Sequence, residues 1–570
     1  MRGWMKVGLL AAYLASFHES YWDRIETLGP GLILGLYLGV FVGLVAALFA
    51  GAWVRPGWLR WSWALAFATS AAFFDAYMAI THTYLTYSAF VSLVYSGGFV
   101  QEAVTQFHAP ILGAVARALL VLIGIGLHPG RWPRLPPILP PILPAVAPAL
   151  GLCVLMGILF MRAGEGARGL PVMYTPLAYL GLFAYESLVD GVGPRQPVRL
   201  ARSGPPVARK VVLIVDESVA GNYLDVNAQA GVTSHLAQAQ PGVDIHNFGY
   251  AAAIANCSAE TNVTLRYGGT RADYLRINST QPSIWQYAKA SGMGTVYIDA
   301  QRTGGYLQNL MTAQEKQDID RFIQFDDIPV LQRDMAALDA LMAQLADPTP
   351  QFIMINKVGA HFPVNDKYPD AFMTYRPVLP RGRFTDVADS GEREGFDGSS
   401  HAWTLYRNSY RNALSWSVGE FFRRMFASAD LSQVVVIYTS DHGQDLHERG
   451  NPGLNTHCGS DPVAEEGLVP LLLIQGSQVE SFDWRAHMAQ NHDASSHYNI
   501  FPTLLRLMGY DRDSVTSLYG RSLDMATHDP FTFNVRFNAR LGAEPDFRHI
   551  DLDQIMTPDK VVDMATATTP

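Results

Sequence analysis

Residues 434–443 read VVVIYTSDHG, and this stretch decides the fold of the second half of the chain. A short run of mostly β-branched apolar residues is typical of a strand that is buried on both faces of a parallel sheet. Asp441 and His442 follow the run where that strand would end. Ligands of open α/β sheets bind at the carboxyl ends of the strands, and a carboxylate beside an imidazole can coordinate a divalent metal. For this dipeptide alone, the alternative is an ordinary strand followed by an Asp-containing turn.

Other predicted strands alternate with helical patterns on both sides of this stretch. The predicted strands are Val211–Val215, Gly294–Asp299, Gln351–Asn356, Val434–Tyr438 and Val469–Ile474, and the helices between them include Trp403–Met425 and Ser496–Met508. Such alternation predicts a mostly parallel, doubly wound α/β sheet. We assign residues 205–530 to this soluble domain. Residues 531–570 lack clear periodicity, and we expect them to form a loosely held C-terminal tail.

The first 165 residues are mostly apolar and predict a helical transmembrane domain of about five spans. The 23 uncharged residues Leu32–Val54 are long enough to cross a bilayer. A weaker first crossing is the run Val7–Phe17, for which a cleaved signal peptide is the rival interpretation. The remaining candidates are Trp61–Ile80, Ala109–His128 and Ile138–Met161.

Arginine positions predict the orientation of this domain. Arg55 and Arg60 lie in one connection between spans and Arg131 and Arg134 in another, whereas residues 81–108 contain no Lys or Arg. The positive-inside rule therefore places residues 81–108 and everything after the last span outside the cytoplasm. Residues 166–204 are Gly-rich at first and then rich in Tyr, Leu and Phe over Tyr174–Tyr185, and we expect them to form a linker along the membrane interface. The net charge of −9 gives no reason to expect a nucleic-acid partner.

Polar residues follow several predicted strands in the way that Asp441 and His442 do. Glu217 follows VVLIVD, His361 follows FIMINKVGA, and His457 lies in the long polar loop after residue 443. Taken singly, Glu217 could be a helix-capping carboxylate and each loop histidine a solvated side chain. Because the carboxyl ends of parallel strands meet at one edge of a sheet, we expect these residues to converge. Glu, Asp and His together suit Zn²⁺.

A candidate nucleophile lies in the segment Asn256–Thr264, NCSAETNVT, which offers the hydroxyls of Ser258, Thr261 and Thr264. A hydroxyl is a weak nucleophile until a metal or a base lowers its pKa. Metal ions also neutralise charge on a phosphoryl group during transfer. The residues therefore predict metal-assisted phosphoryl or sulfuryl transfer on the outer side of a membrane.

The order and spacing of these motifs resemble the membrane-anchored phosphoethanolamine transferases of the alkaline phosphatase/sulfatase superfamily, including those that modify lipid A. Ser440–Gly443 is identical to the family's Ser-Asp-His-Gly motif. The motif VDES that ends in Ser218 resembles its strand-Gly-Glu-Thr motif, and Cys257–Thr264 resembles its Cys-Gly-Thr-x-Thr-Ala-x-Ser motif. SHYNIFPTLL from Ser496 and GRSL from Gly520 resemble two later motifs. The resemblance implies a bacterial inner-membrane protein with five helices and a periplasmic sulfatase-like domain.

Carried over to this sequence, the resemblance implies a role for each candidate residue. Thr261 would be the nucleophile, and Glu217, Asp441 and His442 would bind zinc together with it. His361 and His457 would bind the substrate phosphate or a second zinc ion. One tightly bound Zn²⁺ is therefore expected, and a second Zn²⁺ is an open alternative.

The implied reaction moves phosphoethanolamine from phosphatidylethanolamine, through a phosphothreonine, to lipid A or another cell-envelope glycan, and we expect a monomer. Three alternatives stay open. They are a phosphoglycerol transferase, a phosphodiesterase or sulfatase-type hydrolase, and a catalytically silent sensor that binds lipid headgroups.

The chain departs from the family pattern around the nucleophile. Tyr267 stands where the family has a cysteine, so the disulfide that frames the family's nucleophile cannot form. Ala259 and Ala220 replace a Thr and an Arg, and Glu260 adds a negative charge. Without a partner ten residues on, we expect Cys257 to be reduced, with a bridge to Cys458 as the alternative.

A last expectation concerns Glu102 in the outward-facing connection 81–108. Gln101-Glu102-Ala103 resembles the end of a pattern that the related transferases carry there. Glu102 could pair with the ammonium of an ethanolamine headgroup, and the alternative is a solvated carboxylate.

Overall fold

Eight strands of the second half form one sheet, in the order β4-β3-β5-β1-β6-β7-β2-β8. The strands are β1 (Lys210–Asp216), β2 (Val243–Ala252), β3 (Gly294–Asp299), β4 (Arg321–Ile323), β5 (Gln351–Asn356), β6 (Val434–Ser440), β7 (Leu468–Gly476) and β8 (Ser495–Ser496). Five neighbouring pairs are parallel, and only β7 runs antiparallel to both of its neighbours in this sheet. The predicted mostly parallel α/β fold is confirmed.

The structure is a computed structural model, and it describes residues 2–81, 84–95, 104, 108–129, 143–162, 164–189, 195–382, 398–451, 456–459, 461–480, 482–535 and 545–561. The chain divides into two units, of which the first is Met1–Gly191 and the second begins at Val192. This division falls inside the segment that the sequence assigns to a linker.

Alternating residues of the central strand β1 face two different cores, which is why the sheet is covered on both sides. Val212 and Ile214 pack with helices on one face, and Val211, Leu213 and Val215 pack on the other. All five side chains are fully buried. The helices of this unit are α9 (Ser258–Tyr267), α10 (Tyr274–Thr280), α11 (Ile284–Ala290), α12 (Ala313–Lys316), α13 (Val330–Ala346), α14 (Ser400–Leu414), α15 (Phe421–Ser428), α16 (Trp484–Asn491), α17 (Ile500–Leu507) and α18 (Arg512–Tyr519).

The first unit is helical, and four of its helices are long and apolar enough to cross a membrane. Its helices are α1 (Arg2–Ala15), α2 (His18–Leu28), α3 (Leu32–Ala52), α4 (Gly57–Thr81), α5 (Tyr87–Tyr95), α6 (His108–Gly126), α7 (Leu143–Met161) and α8 (Thr175–Val189). The four span candidates are α3, α4, α6 and α7.

The expected fifth span is too short among the described residues. The predicted crossing Val7–Phe17 lies mostly in α1, whose 14 residues extend only about 21 Å, less than a bilayer core of about 30 Å. This helix nevertheless packs within the unit, since Leu10 and Tyr13 are fully buried. Lys6 is also buried and donates hydrogen bonds to the carbonyls of Ile125 and Leu127.

The described part of the C-terminal segment is held more firmly than expected. Strand β9 (Thr532–Asn534) pairs antiparallel with β10 (Phe547–His549). Phe531, Phe533 and Ile550 are buried in a small core that they share with Ala252 of β2 and Leu468 of β7. The expectation of a loose tail is therefore wrong for residues 531–535 and 545–555, which bury apolar side chains although they lack a sequence periodicity.

A buried ion pair holds β1 against its surroundings. Lys357 Nζ lies 2.9 Å from Asp216 Oδ2, and both side chains are fully buried. Tyr438 OH also donates to this carboxylate at 2.9 Å. The ammonium of Lys357 donates further to the carbonyl of Ser417, which lies in a π-helical turn, Ser415–Glu420, between α14 and α15. This turn interrupts the continuous helix predicted over Trp403–Met425.

We expect Lys357→Met to destabilise the protein by about 3–5 kcal/mol, because it leaves the Asp216 carboxylate buried without its cation. The double variant Lys357→Met with Asp216→Asn should recover part of this loss. The measurement is chemical unfolding of the detergent-solubilised protein followed by tryptophan fluorescence. Arg276→Met, which removes an ion pair with Asp273 that is about half exposed on both sides, is the control and should change stability by less than about 1 kcal/mol. Equal losses of stability in Lys357→Met and Arg276→Met would contradict a special role for the buried ion pair.

Candidate active site and metal centre

The register between β1 and β6 brings two acidic strand ends together. Asp216, the last residue of β1, pairs with Ser440, the last residue of β6. Glu217 and Asp441 therefore begin their loops side by side. The backbone N–H of Ser218 donates to Asp441 Oδ1 at 3.0 Å, and the N–H of Asp441 donates to the carbonyl of Asp216 at 2.9 Å. Both acidic side chains are almost fully buried.

A histidine from the same strand end and one from the following loop complete a compact cluster. The ligand atoms of Glu217, His442 and His457 all lie within 4.8 Å of one another. His442 Nε2 is 3.4 Å from Glu217 Oε1, and the rings of His442 and His457 stack with centroids 4.4 Å apart. His442 Nδ1 donates to the carbonyl of Gly443 at 2.7 Å, so Nε2 is the ring nitrogen that faces the cluster. Among the described residues, these three form a group of potential metal ligands whose ligand atoms are close enough to bind one ion.

Asp441 adds an unpaired oxygen at the edge of this cluster. Its Oδ2 is buried, has no hydrogen-bond partner, and lies 3.7 Å from His442 Nε2. Burial and the neighbouring Glu217 raise the pKa of Asp441 well above its usual range. For His442, burial opposes the charged form, but Asp441 and Glu217 outweigh it and raise the pKa to about 9. These shifts indicate a site that favours a positive charge.

His457 differs from His442 in its electrostatics. Burial and the proximity of His442 hold the pKa of His457 well below its ordinary value, so this ring is neutral and its lone pair is available to a cation. Carboxylates and neutral imidazoles are ligands that Zn²⁺ prefers, and the orphaned Asp441 Oδ2 is an oxygen that a cation would satisfy. The residues present therefore fit zinc.

Of the three hydroxyls in the segment Asn256–Thr264, that of Ser258 contacts this cluster. Its Oγ lies 3.2 Å from each carboxylate oxygen of Glu217 and 3.2 Å from His442 Nε2. Ser258 is the first residue of α9, and Cys257 is its N-cap. Backbone N–H groups and the dipole at a helix N-terminus favour an anionic ligand such as phosphate.

The structure does not bring Thr261 or Thr264 to the cluster. Thr261 is fully buried, and its Oγ1 lies 3.4 Å from the carbonyl of Ala255. Thr264 Oγ1 donates to the carbonyl of Glu260 at 3.0 Å. Thr261 lies about one helical turn beyond Ser258, roughly 4.5 Å along the axis, so it cannot occupy the same place at the helix end. Of the three hydroxyls that the sequence offers, geometry selects Ser258.

The other predicted site residues have different outcomes. The ring of His361 lies 6.4 Å from that of His457, so it borders the cluster without joining it. Burial, the largest cause, lowers the pKa of His361 to about 4. Glu102 lies outside the described residues. Glu260 has a carboxyl oxygen, Oε2, that is buried without a hydrogen-bond partner, and burial raises its pKa.

Sequence reasoning missed Gln301, which orients Glu217. Its Nε2 donates to Glu217 Oε2 at 3.0 Å and to the carbonyl of Lys357 at 2.8 Å. Gln301 comes two residues after the carboxyl end of β3. The rule that identified Glu217 and Asp441, a polar residue just after a buried strand, would have found it.

The two cysteines of the second unit form a disulfide, contrary to the expectation of a reduced Cys257. Cys257 and Cys458 form a disulfide across 201 residues of sequence, with Cα atoms 5.0 Å apart. The physical reason is the convergence of their neighbours, because Ser258 and His457 approach the same cluster and carry the two cysteines within bonding reach. Cys153 in α7 is free.

Comparison with known proteins assigns the family. The Sulfatase family model matches residues 209–510, which is more than half of the chain. The chain belongs to the sulfatase family.

Individual relatives are more distant. The Kdo(2)-lipid A phosphoethanolamine 7''-transferase of Salmonella typhimurium is 22% identical over 364 residues, which are 59% of this chain and 58% of that relative's own length. The integral membrane lipooligosaccharide phosphoethanolamine transferase A from Neisseria meningitidis is 16% identical, and its structure superposes with a TM-score of 0.61 over 91% of this chain and 98% of that one. The periplasmic domain of EcEptC from Escherichia coli in complex with Zn is 18% identical, with a TM-score of 0.46 over 64% and 99% of the two chains.

The likeness to the Neisseria structure extends over both units and shows a common fold. Together with the four span candidates, it makes this chain a membrane protein with a helical N-terminal domain and a sulfatase-like α/β domain.

We expect His442→Ala and His457→Ala each to weaken zinc binding by at least tenfold to a hundredfold, since even the partners of metal ligands typically contribute that much. His361→Ala is the matched control, because its ring lies just outside the cluster, and it should keep its zinc. Elemental analysis after dialysis against a weak chelator measures the difference. Retention of zinc by His457→Ala, with loss from His361→Ala, would exchange the roles of these two histidines.

Proposed function

We propose that this chain is a zinc-dependent phosphoethanolamine transferase that works through a covalent phosphoserine at Ser258. The donor would be phosphatidylethanolamine, and the acceptor would be lipid A or another cell-envelope glycan. The observation that carries the proposal is the position of Ser258 Oγ, 3.2 Å from both Glu217 and His442 at the start of a helix. The name of the Salmonella relative, a lipid A phosphoethanolamine transferase, supports the choice of group and acceptor.

The residues of this site divide the work of the first half-reaction. Ser258 Oγ attacks the phosphorus of the donor, and its proton passes to a carboxylate oxygen of Glu217, which lies in hydrogen-bond range. The bond between phosphorus and the glyceride oxygen breaks, that oxygen takes up the proton, and neutral diacylglycerol leaves. The N-terminal amides of α9 favour the negative charge on the phosphoryl oxygens.

In the second half-reaction an acceptor oxygen attacks the phosphoserine, and Ser258 leaves with a proton. Glu217, His442, His457 and Asp441 would hold the zinc ion. The chemistry that zinc supplies when bound is a lowered hydroxyl pKa and neutralisation of phosphoryl charge. Gln301 keeps Glu217 oriented through both half-reactions.

We place the α/β domain in the periplasm and the apolar helices in the inner membrane. The arginine distribution of the connections favours this orientation. The Cys257–Cys458 disulfide supports an oxidising compartment. A phospholipid donor would be accessible at the periplasmic face of the inner membrane, whereas a nucleic acid would not. That the protein acts as a monomer, and that Glu102 contacts the ethanolamine ammonium, stay predictions.

We expect Ser258→Ala to abolish transfer of phosphoethanolamine from labelled phosphatidylethanolamine to purified lipid A, because Ser258 carries the hydroxyl that contacts both Glu217 and His442 at the start of α9. Ser258→Thr keeps a hydroxyl and should retain measurable activity. Thr261→Val, which has the same shape as threonine, is the matched control and should transfer at a rate within about threefold of the wild type, since its hydroxyl makes only weak contacts with Ala255. Mass spectrometry of the quenched enzyme should find phosphoethanolamine on the peptide that contains Ser258.

The opposite pattern, an active Ser258→Ala and an inactive Thr261→Val, would return the nucleophile to Thr261. Release of free phosphoethanolamine without transfer to any glycan would replace the transferase by a hydrolase. Transfer from phosphatidylglycerol but not from phosphatidylethanolamine would identify a phosphoglycerol transferase.

A further inference from the structure

A disulfide joins the two segments that bring Ser258 and His457 to the cluster. Cys257 directly precedes Ser258, and Cys458 directly follows His457. The bridge therefore links the start of the nucleophile's helix with the loop that carries one candidate zinc ligand. We call this contact, formed by Asn256, Cys257, Cys458, Gly459 and Glu466, the cystine junction.

Hydrogen bonds across the cystine junction run in both directions. The N–H of Cys458 donates to the carbonyl of Asn256 at 3.0 Å. The side-chain amide of Asn256 donates to the carbonyl of Gly459 at 3.1 Å and to Glu466 Oε2 at 2.8 Å. Asn256 and Glu466 are both almost fully buried. The junction is thus a specific contact, in which buried hydrogen bonds of Asn256 and Glu466 lie beneath a disulfide whose Cys458 side is exposed.

The loop on the Cys458 side is held by isolated contacts: the N–H of Asp445 donates to the carbonyl of Thr456 at 2.7 Å, and Thr456 Oγ1 lies 2.9 Å from His457 Nδ1. Of residues 441–463, the described positions 441–451, 456–459 and 461–463 contain no helix or strand. Cys458 itself has a φ of 60°, a left-handed conformation that non-glycine residues adopt rarely and only where the surroundings enforce it. The His457 side chain is less completely buried than those of Glu217 and His442, which lie just after the ends of β1 and β6. The position of the His457 ring therefore depends on the hydrogen bonds of Thr456 before it and on the covalent bridge at Cys458 after it.

We propose that the Cys257–Cys458 bridge is a positioning device that holds His457 against Glu217 and His442, so that the metal centre is complete only when the bridge is oxidised. This inference rests on the proposed zinc site and deepens it by adding a redox condition. In a reducing compartment the centre lacks its third closely grouped ligand. It becomes complete after export, where disulfides form and persist.

The test measures zinc affinity in the purified full-length protein by competition with a chromogenic chelator. The double variant Cys257→Ser with Cys458→Ser should bind zinc about tenfold to a hundredfold more weakly than the wild type, the range expected when a ligand loses its orientation. Cys153→Ser, which alters the free cysteine of α7, is the matched control and should leave zinc affinity unchanged.

A second measurement uses the wild-type protein without substitution. A water-soluble phosphine donates two electrons to the bridge and becomes its oxide with an oxygen from water, while the two sulfurs take up protons and become thiols. After anaerobic removal of the phosphine, zinc affinity should fall as it does in the double variant, and reoxidation should restore it. Thiol labelling reports how much of the bridge is open.

The decisive comparison repeats these measurements in a His457→Ala background. If the bridge acts through His457, its removal should there cause no further loss of zinc affinity beyond about twofold. A bridge that only stabilises the fold would lower affinity equally in both backgrounds, and that result would overturn the proposal. Unchanged affinity in the double variant and in the reduced wild type would overturn it as well.

These outcomes are separable from failure of the proposed function. If the oxidised wild type binds zinc but transfers no phosphoethanolamine, the proposed function is wrong. The proposed redox condition is then still decided by the zinc affinities of the oxidised and reduced proteins. If it binds no zinc under any condition, both proposals are wrong.

Discussion

The parallel pairing of β1 with β6 is the constraint on which the rest of the site depends. Adjacent parallel strands lie about 4.8 Å apart, and the register sets Asp216 against Ser440, so the next residues, Glu217 and Asp441, begin their loops side by side. Two carboxylates buried this close repel each other unless a positive charge lies between or beside them. Protonated His442 meets part of that demand, and the orphaned Asp441 Oδ2 marks the part that it does not meet.

The framework of this site was predictable because buried strands have a strong local signal. Continuous apolar runs gave β3 and β5 with their observed bounds, and gave β1, β6 and β7 to within about two residues at each end. Strand β2 was not found, because His246 and Asn247 interrupt its apolar pattern and a register shift between Asn247 and Tyr250 breaks the alternation. The antiparallel direction of β7 was equally hidden, since a strand that is buried on both faces reads the same in either direction.

The loops around the site were less predictable, because contacts across long separations decide them. Anchoring the nucleophile motif on Cys257 pointed to Thr261, whereas the helix start in the structure presents Ser258. Whether a hydroxyl faces a metal depends on where a helix begins, and helix boundaries are weakly encoded. The Cys257–Cys458 bridge spans 201 residues, and only the three-dimensional convergence of Ser258 and His457 makes it possible.

The site thus combines two kinds of support with different physical consequences. Glu217 and His442 follow strands that are fixed by backbone hydrogen bonds and buried apolar faces. The two residues are therefore already in place before a ligand binds. His457 lies in a loop without secondary structure among its described residues, and its placement comes from isolated hydrogen bonds and from the Cys257–Cys458 bridge. An ion that needs ligands from the strand ends and from the loop binds only as tightly as the less rigid loop allows. The chemistry of the strand ends therefore sets which ion the site prefers, and the contacts of the loop set how tightly that ion is held.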